Sequence, residues 1–174
     1  MWTFELDCFI KAIGIFLVYN IVACKLFGVP SSLSVTYYLY ENKKPALKWL
    51  FTAMMWAVSF CLMPAWIEIS SGSNFQFLSF LAAASIMFVG TAPAFRSCKM
   101  ESIVHQVSAW AAAIFSILWI ILVTPFWWLI PVCVLLCGGL GHLTKTIKSA
   151  QTYWVEMIAF GATFTAIILH YFLG

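Results

Sequence analysis

Eight of the chain's nine Lys and Arg residues fall in three segments that separate long apolar runs. Lys25, Lys43, Lys44 and Lys48 form the first group, Arg96 and Lys99 the second, Lys145 and Lys148 the third. The alternating segments, around residues 69–75 and 123–126, carry no positive charge. Lys and Arg in short loops stay on the cytoplasmic side of a membrane, so this alternation predicts six spans with both termini outside. Few folds other than a polytopic helical bundle tolerate such a pattern.

Composition agrees. Of 174 residues, 64% are hydrophobic and only 9% charged, against roughly 25% charged in soluble domains. A soluble domain could not hide so much apolar surface, so the bilayer is expected to solvate most of it. About 20 apolar residues rising ~1.5 Å each cross the ~30 Å of hydrocarbon. The sequence places spans at about residues 8–28, 47–69, 75–95, 102–123, 126–142 and 152–173, in one membrane domain of short loops. Breakers mark the joints: Gly28-Val29-Pro30, Ser70 to Asn74, and Thr124-Pro125. The acidic start, Met1 to Asp7, lacks the positive region of a signal peptide, so the first run is expected to persist as a helix. With no dense basic run in a net charge of +3, nucleic acid is not an expected partner. Membrane lipids are, with a second copy or another membrane protein as a further possibility, and a bacterial inner membrane is the expected location.

The segment from Ser31 to Pro45 is rich in hydroxyls and aromatic rings rather than glycine. That suits packing at the membrane interface, where a Tyr ring is buried and its OH stays wet. Pro30 to Tyr38 and Phe88 to Phe95 both have the look of motifs, with no reaction attached to either.

Ionisable groups at membrane depth cost several kcal/mol unless paired or hydrated, which makes each a functional candidate. Here they are His105, His142, Glu156 and His170. The topology puts His105, His142 and Glu156 at the cytoplasmic depth of spans 4, 5 and 6, close to Arg96, Lys99, Ser34 and Tyr37. If the inner ends of those spans pack together, the seven residues form a ligand site. On span 6, Tyr153, Glu156, Thr163 and His170 share one face, because steps of three and seven residues return to nearly the same side. Span 4 carries a softer stripe, His105, Ser108, Ala112, Ser116 and Trp119. The plainer alternative is that Glu156 and His105 reach interfacial water while the hydroxyls bond their own backbone. The six cysteines lie in or beside apolar runs and are expected to act as small hydrophobes. Cys133 and Cys137 sit one turn apart with no further ligand nearby, so no metal site is expected.

Three functions fit. The first is a non-catalytic protein that binds a lipid, a small amphiphile or a partner at the cytoplasmic leaflet. The second is an intramembrane, hydrolase-like enzyme acting on lipids through His105, His142 and Glu156. The third is a small proton-coupled transporter or channel subunit using the span 6 stripe. The first is favoured, because the chain has no His-x-x-x-His, no Gly-x-Ser-x-Gly and no spaced pair of acids. No cofactor is indicated.

Overall fold

A computed structural model describes residues 3–140 and 149–173. Helices dominate, and there is no strand among the described residues. The α-helices are α1 (Phe4–Phe27), α2 (Thr36–Lys43), α3 (Trp49–Ile69), α4 (Phe77–Thr91), α5 (Lys99–Val123), α6 (Leu129–Leu140) and α7 (Gln151–Leu173), with a short 3-10 turn at Pro45–Lys48. Four stretches are long and apolar enough to cross a membrane: Phe4–Phe27, Pro45–Ile69, Lys99–Val123 and Gln151–Leu173.

The boundaries have local causes. The Thr3 hydroxyl accepts the Leu6 amide and starts α1. Gly28, at φ 73°, stops it in a conformation that suits glycine. Helix α4 has 15 residues, shorter than the run 75–95 read from sequence. Pro93 disfavours helical backbone at the residue before it, and Ala92 accordingly leaves the helix at φ −108°, ψ 58°. At ~1.5 Å per residue α4 extends only about 22 Å. Helix α6 begins at Leu129 rather than 126 and has 12 residues up to Leu140. The expected inner end of that span, His142, lies outside the described residues, as do Lys145 and Lys148.

Helices α3 and α4 run antiparallel, as do α4 and α5, and α1 and α7. Thr52, Trp56 and Ser59 of α3 meet Gly90, Met87 and Ala83 of α4, one chain ascending as the other descends. Phe16 and Phe9 of α1 meet Phe160 and Phe164 of α7 in the same inverse order. Helix α3 is the centre: it packs on α1, α4 and α7, and α4 packs on α5. Its inward side chains Phe51, Val58, Leu62, Ala65 and Trp66 are fully buried.

Small residues bring α3 and α4 together, which is how membrane helices associate where lipid removes the hydrophobic drive. Gly90 lies so near α3 that a Cβ there would stand 2.9 Å from Met55 Cβ and 3.2 Å from Trp56 Cδ1. That approach lets Thr52 Oγ1 (2.8 Å), Trp56 Nε1 (3.1 Å) and Ser59 Oγ (2.8 Å) donate to three α4 carbonyls. At the far end of the same pair, Ser70 Oγ donates to the Trp66 carbonyl at 2.6 Å and accepts from Trp119 Nε1 at 2.8 Å. Ser79 Oγ stands 2.8 Å from it. One serine thereby ties α3, α4 and α5.

The antiparallel order sorts charge. Lys25, Lys43, Lys44, Lys48, Arg96 and Lys99 collect at one end of the molecule. Glu5, Asp7 and Glu68 lie toward the other, where the Tyr171 hydroxyl donates to Glu68.

Candidate functional site

At the cation-bearing end, the segment between α1 and α2 is clamped between the last turns of α1 and the first turns of α7. Leu33 N donates to Glu156 Oε2 at 2.6 Å, and Tyr153 N donates to the Ser31 carbonyl at 3.1 Å. The Tyr153 hydroxyl donates to Asn20 Oδ1 at 3.1 Å and lies 3.4 Å from Cys24 Sγ. Asn20 in turn donates to the Phe16 carbonyl of its own helix. Inside the segment, Thr36 Oγ1 donates to the Leu33 carbonyl and sits 2.5 Å from the Tyr19 hydroxyl. Ser32 and Ser34 hydroxyls are 3.2 Å apart. Thr36 is fully buried and Ser34 nearly so.

This lattice explains why a polar stretch can sit against apolar helices. A segment that is not helical leaves backbone N–H and C=O groups without partners, and each must be satisfied where water is scarce. Glu156 and the Tyr153 amide serve two of them directly. Tyr40 packs beside Tyr19 and Phe27, and burial pushes its phenol above the ordinary tyrosine range.

His105 occupies a different place. Its Nδ1 lies 3.2 Å from the Val89 carbonyl and 3.1 Å from that of Ala92, so the nitrogen is protonated and donates to both. These are carbonyls at the end of α4, which no following helical turn can satisfy. The imidazole also stacks on Phe95, with centroids 4.6 Å apart and planes at 18°. His105 and Glu156 therefore each serve a different stretch of backbone, and no bond joins the two among the described residues.

Arg96 and Tyr37 lie on the same end but on a neighbouring surface. The Arg96 amide donates to the Tyr38 hydroxyl at 2.7 Å, and its guanidinium carbon stands 5.3 Å from the Tyr38 ring and 5.8 Å from Phe95. Tyr37 is buried, edge-on to Tyr38 and Trp49. Lys48 Nζ sits 5.7 Å above the Tyr37 ring and pairs with Glu41 at 2.8 Å. Lys99 opens α5 and is exposed. Glu101 Oε2 accepts the Ala94 amide at 2.9 Å, fixing the turn that carries Arg96.

Along α7, Tyr153 and Glu156 face the clamped segment. Thr163 donates to the Ala159 carbonyl of its own helix, and His170 meets Tyr171 edge-on. Between them Phe160 and Phe164 pack on Phe9 and Phe16 of α1. Cys133 and Cys137 are free thiols, and no group of three or more His, Cys, Asp or Glu side chains is placed to hold a metal among the described residues.

Sequence reasoning brought Glu156, Ser34, Tyr37 and Arg96 to one end, but missed the residues that organise it. Asn20 and Cys24 lie within an apolar run, one turn apart, and Asn20 is the lone amide in it. Tyr38 and Phe95 each fell inside a segment recognised only as motif-like. Comparison of the chain with family profiles, with curated proteins and with solved structures returns no match.

Proposed function

We propose that the chain is a non-catalytic, multi-pass membrane protein that holds a lipid headgroup or small amphiphile at its cation-bearing end. On this reading it has six spans, with both termini outside and the cation-bearing end in the cytoplasm, in a bacterial inner membrane. Helix α4 completes its shorter crossing with the turns that flank it, since α4 joins the Ser70–Ser79 end to the His105 end. Cations in the cytoplasmic loops then lie beside anionic headgroups, at roughly 1 kcal/mol per residue near the surface.

The observation that carries the non-catalytic reading is the engagement of Glu156. Its carboxylate accepts a backbone amide of the segment it clamps, and His105 holds helix-end carbonyls. The two groups that best suited acid–base chemistry support the scaffold beside the cationic surface. Between Glu156 and His170 the Thr163 hydroxyl is taken by its own helix and Phe160 and Phe164 pack beside it on α1, which weighs against a proton path along that face.

The test is native mass spectrometry of the chain released from native membranes in small bilayer discs. Retained, intact amphiphile of defined stoichiometry is expected. Release of the bare chain, or of the chain with a partner protein and no amphiphile, would overturn the reading.

A further inference from the structure

Resting on that reading, we propose that Arg96 and Lys99 bind the phosphate of an anionic phospholipid whose acyl chain lies along the exposed face of α5. Three observations converge on this surface.

The first is the state of Arg96. Its side chain is exposed, and the ion pairs among the described residues are Lys11–Asp7 and Lys48–Glu41, so Arg96 has no carboxylate partner there. It is nevertheless held. The Tyr38 and Phe95 rings, themselves edge-to-face at 5.5 Å, flank the guanidinium, and Tyr38 also binds the Arg96 amide. Phe95 is fixed by its stack on His105, and His105 by two carbonyls. A guanidinium packed on rings keeps its N–H edge free for a bidentate oxyanion and loses less rotamer freedom on binding.

The second is the neighbouring charge. Lys99 follows three residues later at the start of α5 and is exposed. The nearest acid in sequence, Glu101, is occupied by the Ala94 amide. Two cations with no nearby free carboxylate match one phosphodiester.

The third is what lies beyond the charges. Met100, Ile103, Val107 and Trp110 form one exposed stripe on α5, with Met100 at 75% and Trp110 at 72% exposure. The stripe spans about 15 Å from Met100 to Trp110 at ~1.5 Å per residue, about half of a ~30 Å hydrocarbon core. A charged head joined to an apolar lane the depth of one leaflet fits a lipid better than free phosphate. Tyr38, Phe95 and His105 act as positioning residues for Arg96.

The experiment uses the full chain in mixed micelles, titrated with phosphatidylglycerol, phosphatidylcholine and glycerol 3-phosphate, and read by native mass spectrometry and intrinsic Trp fluorescence. Phosphatidylglycerol is expected to bind best. Arg96→Gln and Lys99→Gln are each expected to weaken it roughly tenfold, the loss of one charge-assisted contact. Arg96→Lys should fall between, because it keeps the charge and loses the ring-packed fork. Lys11→Gln, at the opposite end, should bind like the parent chain. Unchanged circular dichroism in each variant separates lost binding from lost folding. Parent-like affinity in Arg96→Gln would overturn this site while leaving the wider binding reading intact, since the lipid would then sit elsewhere. Glycerol 3-phosphate binding as tightly as the lipid would remove the α5 lane. Absence of any lipid binding by the parent chain would fail the wider reading itself.

Discussion

Adding a single methyl group at Gly90 tests the central helix packing. The Cβ of an alanine there would fall 2.9 Å from Met55 Cβ, whereas ordinary contact begins at 3.4 Å, so α3 and α4 must part by about 0.5 Å. Met55 Cβ is fixed to the backbone of α3 and cannot rotate away. Separation also stretches the bonds from Thr52, Trp56 and Ser59 to the α4 carbonyls, now 2.8, 3.1 and 2.8 Å. Interhelical bonds in membranes contribute about 0.6 kcal/mol each, so losing all three costs about 2 kcal/mol. Overpacking strain adds roughly 1–3 kcal/mol, and the better helix propensity of alanine offsets about 1 kcal/mol. Gly90→Ala is therefore expected to destabilise by about 2–4 kcal/mol, and Gly90→Leu by more. Reversible unfolding in mixed dodecylmaltoside–SDS micelles, followed by ellipticity, measures it. A second variant identifies the cause: Thr52→Val should cost about 0.6 kcal/mol alone and almost nothing in the Gly90→Ala background, because the bond is already broken. A Gly90→Ala chain as stable as the parent, or fully additive losses in the double variant, would refute the close approach of α3 and α4.

Glu156→Ala leaves the Leu33 amide without its acceptor and should cost about 1–3 kcal/mol in the same assay, while Glu156→Gln, which keeps an acceptor oxygen, should cost less than half of that. Equal losses in the two would mean that the charge, not the hydrogen bond, is what matters. In a background with the six native cysteines replaced, Ser73→Cys is expected to react with an impermeant maleimide on intact cells, and Lys44→Cys and Ser97→Cys only after permeabilisation. The reverse pattern would invert the proposed orientation.

Much of this architecture could be read from the chain because apolar length and charge placement act through bulk free energies. Four of the six expected runs coincide with helices long enough to cross a membrane. Ends were harder, because they turn on local chemistry. Helix α4 stops at Thr91 since Pro93 acts on its neighbour, while α1 begins at Phe4 rather than 8 because Thr3 caps it early. The candidate site was legible only in part. Seven residues could be assigned to one depth from topology, but depth does not say which side chains share partners. Glu156 and His105 were expected to converge on a ligand. The first instead holds the Leu33 amide and the second the end of α4, because irregular backbone near a membrane needs hydrogen bonds before anything else does. That need is invisible in a one-dimensional pattern until the break in each helix is located. Asn20 shows the same effect from the other side: it sits within an apolar run and is the acceptor for Tyr153, 133 positions away.

The most direct test of the account is whether bound lipid leaves the protein unchanged. Purified chain in vesicles of isotopically labelled phosphatidylglycerol and phosphatidylethanolamine would be incubated and extracted, with lipid species quantified by mass spectrometry, alongside Glu156→Gln and His105→Ala. The account predicts retention of anionic lipid and no new lipid species from any of the three. A headgroup or acyl product that accumulates in proportion to the parent chain and disappears with Glu156→Gln would contradict it, and would make Glu156 a catalytic residue rather than a clamp.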